Sequence, residues 1–169
     1  MTLDHFNQFS ADQAEAEFLK CCGSKRWARA MIEARPFENK DELLHKADRV
    51  WWSLDSADWL EAFRAHPKIG EKKAPATQSE QAQSWSEQEQ SETQNAAAGT
   101  MAALAEGNRE YEQRFGFIFI VCATGKSSEE MLAILNYRLS NDGDTEIRTA
   151  AEEQRKITRL RLERLLKTK

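Results

Sequence analysis

Phe115-Gly116-Phe117-Ile118-Phe119-Ile120-Val121-Cys122-Ala123 is the one run in this chain with the composition of a β-strand. Aromatic and β-branched residues at that density suit a pleated surface. A strand needs partners, however, and no second run of similar quality occurs anywhere in the 169 residues. The run therefore reads as a buried extended connector, or as a helix with a misleading composition, and not as part of a sheet.

Everything around it carries helical periodicity. Upstream, a long helix is expected from about Ser84 to Arg114, with Ala96, Ala97, Met101, Ala102, Leu104 and Tyr111 on its apolar side. Gly99 and Gly107 are points where it could bend. Ser84 followed by Glu87 has the spacing of a capping box. Before it, Lys68 to Gln83 is polar, contains Gly70 and Pro75, and reads as a loop. Loops of about 15 residues inside a compact domain are usually functional or mobile. Downstream, two helices are expected at about Ser128–Ser140 and Asp144–Leu166, split by the turn Asn141-Asp142-Gly143.

The N-terminal third reads the same way. Ser10 with Gln13 forms a second capping box and opens a helix burying Ala14, Phe18, Leu19 and Cys22. Ser24 starts the next, through Trp27, Ala30 and Met31, until Arg35-Pro36 stops it. A third runs from about Asn39 to Leu54 on Leu43, Leu44, Ala47, Val50 and Trp51. Ser56 caps a short fourth with Trp59, Leu60 and Phe63, which must end at His66-Pro67. The expectation is an all-α, single-domain helical bundle of about seven to nine helices spanning residues 1–169.

Bulk properties narrow the class. Hydrophobic residues make up 40% and charged residues 31%, which suits a soluble globular chain rather than a disordered one. A net charge of −4 gives no basic face for nucleic acid. No apolar stretch approaches the roughly 18 residues of a membrane span, and Met1 to Lys20 lacks the apolar core of a secretory signal. Lys167-Thr168-Lys169 is not a peroxisomal tripeptide. Cys21, Cys22 and Cys122 form an odd, sparse set that fits a reducing compartment and buried packing. The expected location is the cytoplasm.

Three residues break the helical pattern. On the final helix, at about 100° per residue, Ile147, Ile157, Leu162 and Leu165 share one arc, and Arg161 falls inside it while Arg155, Lys156, Arg159, Glu163 and Arg164 do not. A buried guanidinium costs several kcal/mol unless acceptors meet it. It can be satisfied by a ligand, by an internal carboxylate, or by reaching out to solvent. His66 stands at a forced helix end, where it serves equally well as a C-terminal cap or as a proton donor. Glu87 sits where a capping box explains it, but also beside helix N–H groups that can receive an anion. His5, His45 and His66 share no metal-ligand spacing, and no metal site is expected. The nucleophile-elbow, zinc-protease, Walker A and dinucleotide motifs are also missing from the sequence.

His66-Pro67-Lys68-Ile69-Gly70, Ser84-x-x-Glu87-Gln88, the Phe115 to Cys122 run and Lys156-Ile157-x-x-Leu160-Arg161-Leu162 occur in that order. Together they resemble the OHCU decarboxylase family, where OHCU is 2-oxo-4-hydroxy-4-carboxy-5-ureidoimidazoline. The resemblance runs from Phe6 onward. It departs at Ile118, where many relatives carry proline, and in Lys68 to Gln83, which lacks their leucine-rich wording. The resemblance implies an all-helical homodimer that binds the small molecule OHCU and performs the last step from urate to (S)-allantoin. It implies His66, Glu87 and Arg161 as catalytic residues. The implied binding residues are Pro67, Ser84, Trp85, Ser86, Gln88, Phe119, Ile120, Val121, Cys122 and Ala123. It implies no cofactor, because the substrate carries its carboxylate beside a ring C=N bond that can accept the electrons released with CO2. The competing expectations are a non-catalytic helical interaction module and an enzyme of the same fold acting on another ureide.

Overall fold

A computed structural model describes residues 1–69, 79–90 and 98–167. Among the described residues the chain is all-helical, with nine helices: α1 (Leu3–Asn7), α2 (Ala11–Cys21), α3 (Lys25–Glu33), α4 (Lys40–Ser53), α5 (Ser56–Arg64), α6 (Glu80–Glu89), α7 (Ala98–Phe115), α8 (Ser128–Arg138) and α9 (Gly143–Lys167). The strand-like run is a connector between α7 and α8. It pairs with no strand among the described residues, and Phe119 to Ala123 are buried.

Most helix starts are those local chemistry predicts. Ser10 and Gln13 form the full reciprocal capping box of α2. Ser24 accepts from Trp27 N at 3.2 Å and Asn39 from Glu42 N at 2.9 Å. Four expectations need correcting. α1 is an additional helix, opened by Thr2. Asp55, not Ser56, caps α5, its side chain accepting from Asp58 N at 3.2 Å. The cap of α6 is Ser79, which accepts from Ala82 N at 3.2 Å, so Ser84 lies inside the helix and forms no capping box. Starting at Glu80 lets Ala82 bury on the same face as Trp85 and Ser86, one turn apart. Finally, α6 ends at Glu89 with Gln90 as its cap, so Ser84 to Arg114 is not one helix. The expected loop loses Glu80 to Gln83 to α6. Residues 70–78, and Ala96 and Ala97, lie outside the described residues.

The chain divides into two compact units, Met1–Ala62 with Arg155–Lys169, and Phe63–Gln154. In the first, Phe6, Phe18 and Trp27 stack edge to face at centroid spacings of 5.0 and 5.5 Å. The Trp27 indole donates to Ala47 O at 3.1 Å, and Trp59 does the same to Trp51 O at 3.1 Å. These bonds let large rings bury without stranding their N–H groups. Asp48 on α4 accepts from Arg155 and Arg159 at 3.2 and 3.0 Å, tying the end of α9 to it.

The second unit has its own core of Ile69, Leu104, Tyr111, Phe119, Val121, Ala123, Met131 and Leu135. Here α7 meets α8 at Gly107, where an added Cβ would lie 2.6 Å from Leu135 Cδ2. Leu135 is wholly buried, so moving it would disturb the close-packed core around it. Overpacking of this kind costs about 1–3 kcal/mol, more than the roughly 1 kcal/mol that alanine gains over glycine in a helix. Gly107→Ala should therefore lower the thermal midpoint, and an unchanged or raised midpoint would show that this contact yields.

Candidate active site

His66 follows the last turn of α5, its backbone N–H bonded to Phe63 O at 3.1 Å. Its ring is half-buried, and Nε2 lies 2.6 Å from Gln154 Oε1. Gln154 is on α9 and wholly buried, 88 residues away in sequence. A carboxamide oxygen can only accept, so in this bond Nε2 is the donor and the ring carries a proton there. The segment after His66 is fixed as well. Pro67 is half-buried, Lys68 pairs with Glu112 at 2.8 Å, and Ile69 O accepts from Asn108 at 3.3 Å. Ile69 in turn packs in one cluster with Phe119, Val121 and Ala123. The tail of α5 and the α7–α8 connector are thus neighbours within the second unit.

The connector has an unusual hydrogen-bond account. Phe119, Ile120, Val121, Cys122 and Ala123 are each 7% exposed or less. Among the described residues, no backbone N–H from Phe119 to Ala123 donates a hydrogen bond. Buried backbone N–H groups are nearly always paired, so a row of five such donors is suited to meeting oxygen atoms of a ligand. Burial pushes the Cys122 thiol up, Lys126 pulls it down, and the carboxylates of Glu153 and Glu89 push it up again. The thiol stays protonated and is a packing group, not a nucleophile.

Helix α6 sorts its residues by face. Ala82, Trp85 and Ser86 are buried, whereas Ser84, Glu87 and Gln88 are exposed. The one described side-chain contact of Glu87 is with Gln83 Nε2, at 3.5 Å along its own helix. Glu89 belongs to the inward face, three and four residues on from Ser86 and Trp85. It is half-buried and close enough to Cys122 for its charge to act on the thiol. The sequence holds the spacing S-x-x-E-Q twice, once as Ser84…Glu87-Gln88 and once as Ser86…Glu89-Gln90. Of the two, it is the second frame whose serine is buried and whose glutamate lies near Cys122 of the connector. The repeated spacing was the available signal for Glu89, and periodicity from Ala82 onward selects between the frames.

Arg161 belongs to the first unit. It is 3% exposed, as its place in the apolar arc of α9 predicts, and its Nη1 donates to Lys20 O at 3.3 Å. The buried thiols of Cys21 and Cys22 lie within range of its charge. Burial pushes Cys22 up to about 12, against the pull of its hydrogen bonds from Ser24 and Thr158 and of Arg161.

One polar cluster of the second unit has no counterpart in the sequence reading. Arg138, Glu146 and Tyr111 are buried together. Arg138 Nη2 and Nε reach Glu146 Oε1 at 2.5 and 2.6 Å, and Tyr111 donates its hydroxyl to the same oxygen. Arg138 also donates to Ile120 O at 2.5 Å. Met131, Leu135 and Arg138 fall at i, i+4 and i+7 on α8, so the arc test that singles out Arg161 also finds Arg138.

The OHCU decarboxylase family model matches residues 7–163, almost the whole chain. This chain belongs to the OHCU decarboxylase family. Among family relatives, it is 38% identical over 156 residues to the uric acid degradation bifunctional protein TTL of Arabidopsis thaliana, covering 92% of this chain and 48% of that protein. The chain thus spans about half the length of that relative. It is 34% identical to the 2-oxo-4-hydroxy-4-carboxy-5-ureidoimidazoline decarboxylase of Amia calva, covering 82% of this chain and 79% of that one. Among solved structures, an OHCU decarboxylase crystallised in the presence of (S)-allantoin superposes with a TM-score of 0.77 at 38% identity, covering 90% of this chain and 98% of that one. A crystal structure of (S)-allantoin synthase superposes with a TM-score of 0.75 at 17% identity, covering 99% of this chain and 55% of that one, and shares the fold. Among the described residues of this family member, no group of three or more His, Cys, Asp or Glu could hold a metal ion, and no helix is long and apolar enough to cross a membrane.

Proposed function

We propose that this chain decarboxylates OHCU to (S)-allantoin without a cofactor, as one OHCU decarboxylase domain over residues 1–169. The observation that carries the reading is the connector, five buried residues whose N–H groups donate to nothing among the described residues, beside an imidazole whose Nε2 is held by a buried amide. In the reaction the C–CO2 bond breaks, its electron pair forms a C=C with the ureido-bearing carbon, and the C=N pair moves onto the ring nitrogen, which takes up a proton. CO2 leaves, one proton is delivered to the ureido-bearing carbon, and the neighbouring hydroxyl gives up its proton as it becomes the ring C=O, for a net uptake of one proton. The enzyme has to orient the ring, receive the oxygens and choose the face for that proton. Unpaired N–H groups suit carboxylate or carbonyl oxygens, and His66 suits proton delivery. On α6 a carboxylate can accept from the ureido N–H groups, and we assign this role to Glu89 rather than Glu87. Pro67 and the inward residues Trp85 and Ser86 complete the proposed contacts. Ser84 and Gln88 face outward with Glu87.

The test is turnover of freshly generated OHCU, followed by circular dichroism of the allantoin formed. Fast appearance of one enantiomer supports the reading. Racemic product at the uncatalysed rate overturns it, and leaves a helical interaction module or another ureide as substrate. Dialysis against a strong chelator should leave turnover intact, whereas loss of activity restored by one metal would contradict the proposed chemistry. Glu89→Gln should cost at least about tenfold in kcat/KM, through loss of an ion-assisted contact, while Glu87→Gln should change it less than about twofold. The reverse ranking would return the role to Glu87. A homodimer in the cytoplasm completes the proposal, supported by the resemblance and by three free, buried cysteines. Sedimentation of the purified chain and imaging of a tagged copy test these two points.

A further inference from the structure

Arg138 is the last residue of α8 and is only 3% exposed. Its charge is met by Glu146, whose second oxygen accepts from Asn141 Nδ2 at 3.1 Å. That pairing leaves Nη1, and Nη1 is spent on the connector, on Ile120 O at 2.5 Å. The guanidinium also lies over the Phe119 ring, 4.7 Å from its centroid. Arg138 therefore grips two consecutive connector residues, one by its ring and the next by its carbonyl. The Ile120–Val121 peptide is trans, so the Ile120 C=O and the Val121 N–H point in opposite directions. Holding the carbonyl in the buried cluster turns the Val121 N–H away from it. That N–H donates to nothing among the described residues.

We propose that Arg138 is a positioning residue that aims the Val121 N–H at an acceptor oxygen of the substrate, a carboxylate or a ureide carbonyl. The inference rests on the proposed decarboxylation for the identity of the ligand, but not for the direction of the N–H. Lysine at 138 has a single donor group and cannot span both Glu146 and Ile120 O, so Arg138→Lys releases the peptide while keeping the charge pair.

The chain has only two valines, Val50 and Val121, so labelling with 15N-valine yields one reporter amide and one internal control on α4. In the intact protein, addition of (S)-allantoin should shift Val121 and leave Val50 in place. In Arg138→Lys, Val121 should move in the free protein and lose most of its response to allantoin. Its kcat/KM for OHCU should fall by about tenfold or more, chiefly through KM, because the lost contact is made in ground and transition states alike. Asn141→Ala weakens Glu146 without touching Ile120, so it should lower the melting point with the Val121 response retained. If Arg138→Lys does not fold, Arg138→Met combined with Glu146→Met leaves no unpaired buried charge and carries the same expectations.

A Val121 signal in Arg138→Lys that matches wild type, free and with allantoin, would overturn the inference. So would an unresponsive Val121 in wild type, or an Asn141→Ala variant that reproduces the Arg138→Lys effects. If wild type fails to turn over OHCU while Val121 still responds to allantoin in an Arg138-dependent way, the function reading falls and the positioning role stands.

Discussion

His66→Asn is expected to remove roughly 10²- to 10⁴-fold of kcat, the usual worth of a general acid, and the residual product should lose its handedness. The second effect follows from the first. Once the enzyme no longer delivers the proton, the decarboxylated intermediate is protonated from either face by water. The structure adds a stability cost that a simple helix-end residue would not carry. Gln154 is wholly buried and its Oε1 is 2.6 Å from the His66 ring. An asparagine is too short to hold that bond in the same place, and a buried acceptor left without its partner costs about 1–3 kcal/mol. In a chain of this size that lowers the melting point by several degrees, at about 2–4 °C per kcal/mol. The measurement is therefore paired: thermal unfolding, and optical activity of the allantoin formed by the folded variant. A variant that unfolds earlier yet makes (S)-allantoin at the wild-type rate would place His66 in the structure and not in the chemistry.

The second large effect is at Arg161. Arg161→Lys keeps a positive charge and can keep a bond to Lys20 O, which Arg161 Nη1 reaches at 3.3 Å. It loses the planar fork that binds an oxygen pair with two parallel bonds. If the fork orients substrate, as the family resemblance implies, turnover should fall on the order of 10²-fold or more with the melting point little changed. If Arg161 serves only the packing around Lys20, Cys21 and Cys22, the order reverses. Turnover would then stay near normal and stability would drop, because lysine fills the space of a buried guanidinium poorly.

Local chemistry made most of the helices legible. Ser10 with Gln13, Ser24 and Asn39 are caps in the sequence and in the structure, because a cap joins residues three apart and depends on nothing else. That this run joins no sheet was legible by elimination, since a single strand-like run has nothing to pair with, while its extended rather than helical form was decided by the fold. The same holds for the burial of Arg161, which sits four residues from Ile157 and four from Leu165 on one face of a helix.

Where local rules offered more than one answer, tertiary packing chose. Ser79 and Ser84 both suit a helix start, and Ser79 prevails because a helix from Glu80 buries Ala82 with Trp85 and Ser86. That choice also decides which glutamate of the two overlapping S-x-x-E-Q frames lies near Cys122, and so brings Glu89 forward and leaves Glu87 in solvent. Pairings across long stretches of chain had no local trace at all. His66 finds Gln154 across 88 residues, Arg138 finds Ile120 across 18, and Tyr111 finds Glu146 across 35. The sequence by itself determined most of the helices, the caps of α2, α3 and α4 and the burial of Arg161, because those follow from spacing along one chain segment. Only the tertiary structure decided which odd residues meet, because a buried polar group takes whatever partner the packing of distant helices brings within about 3 Å.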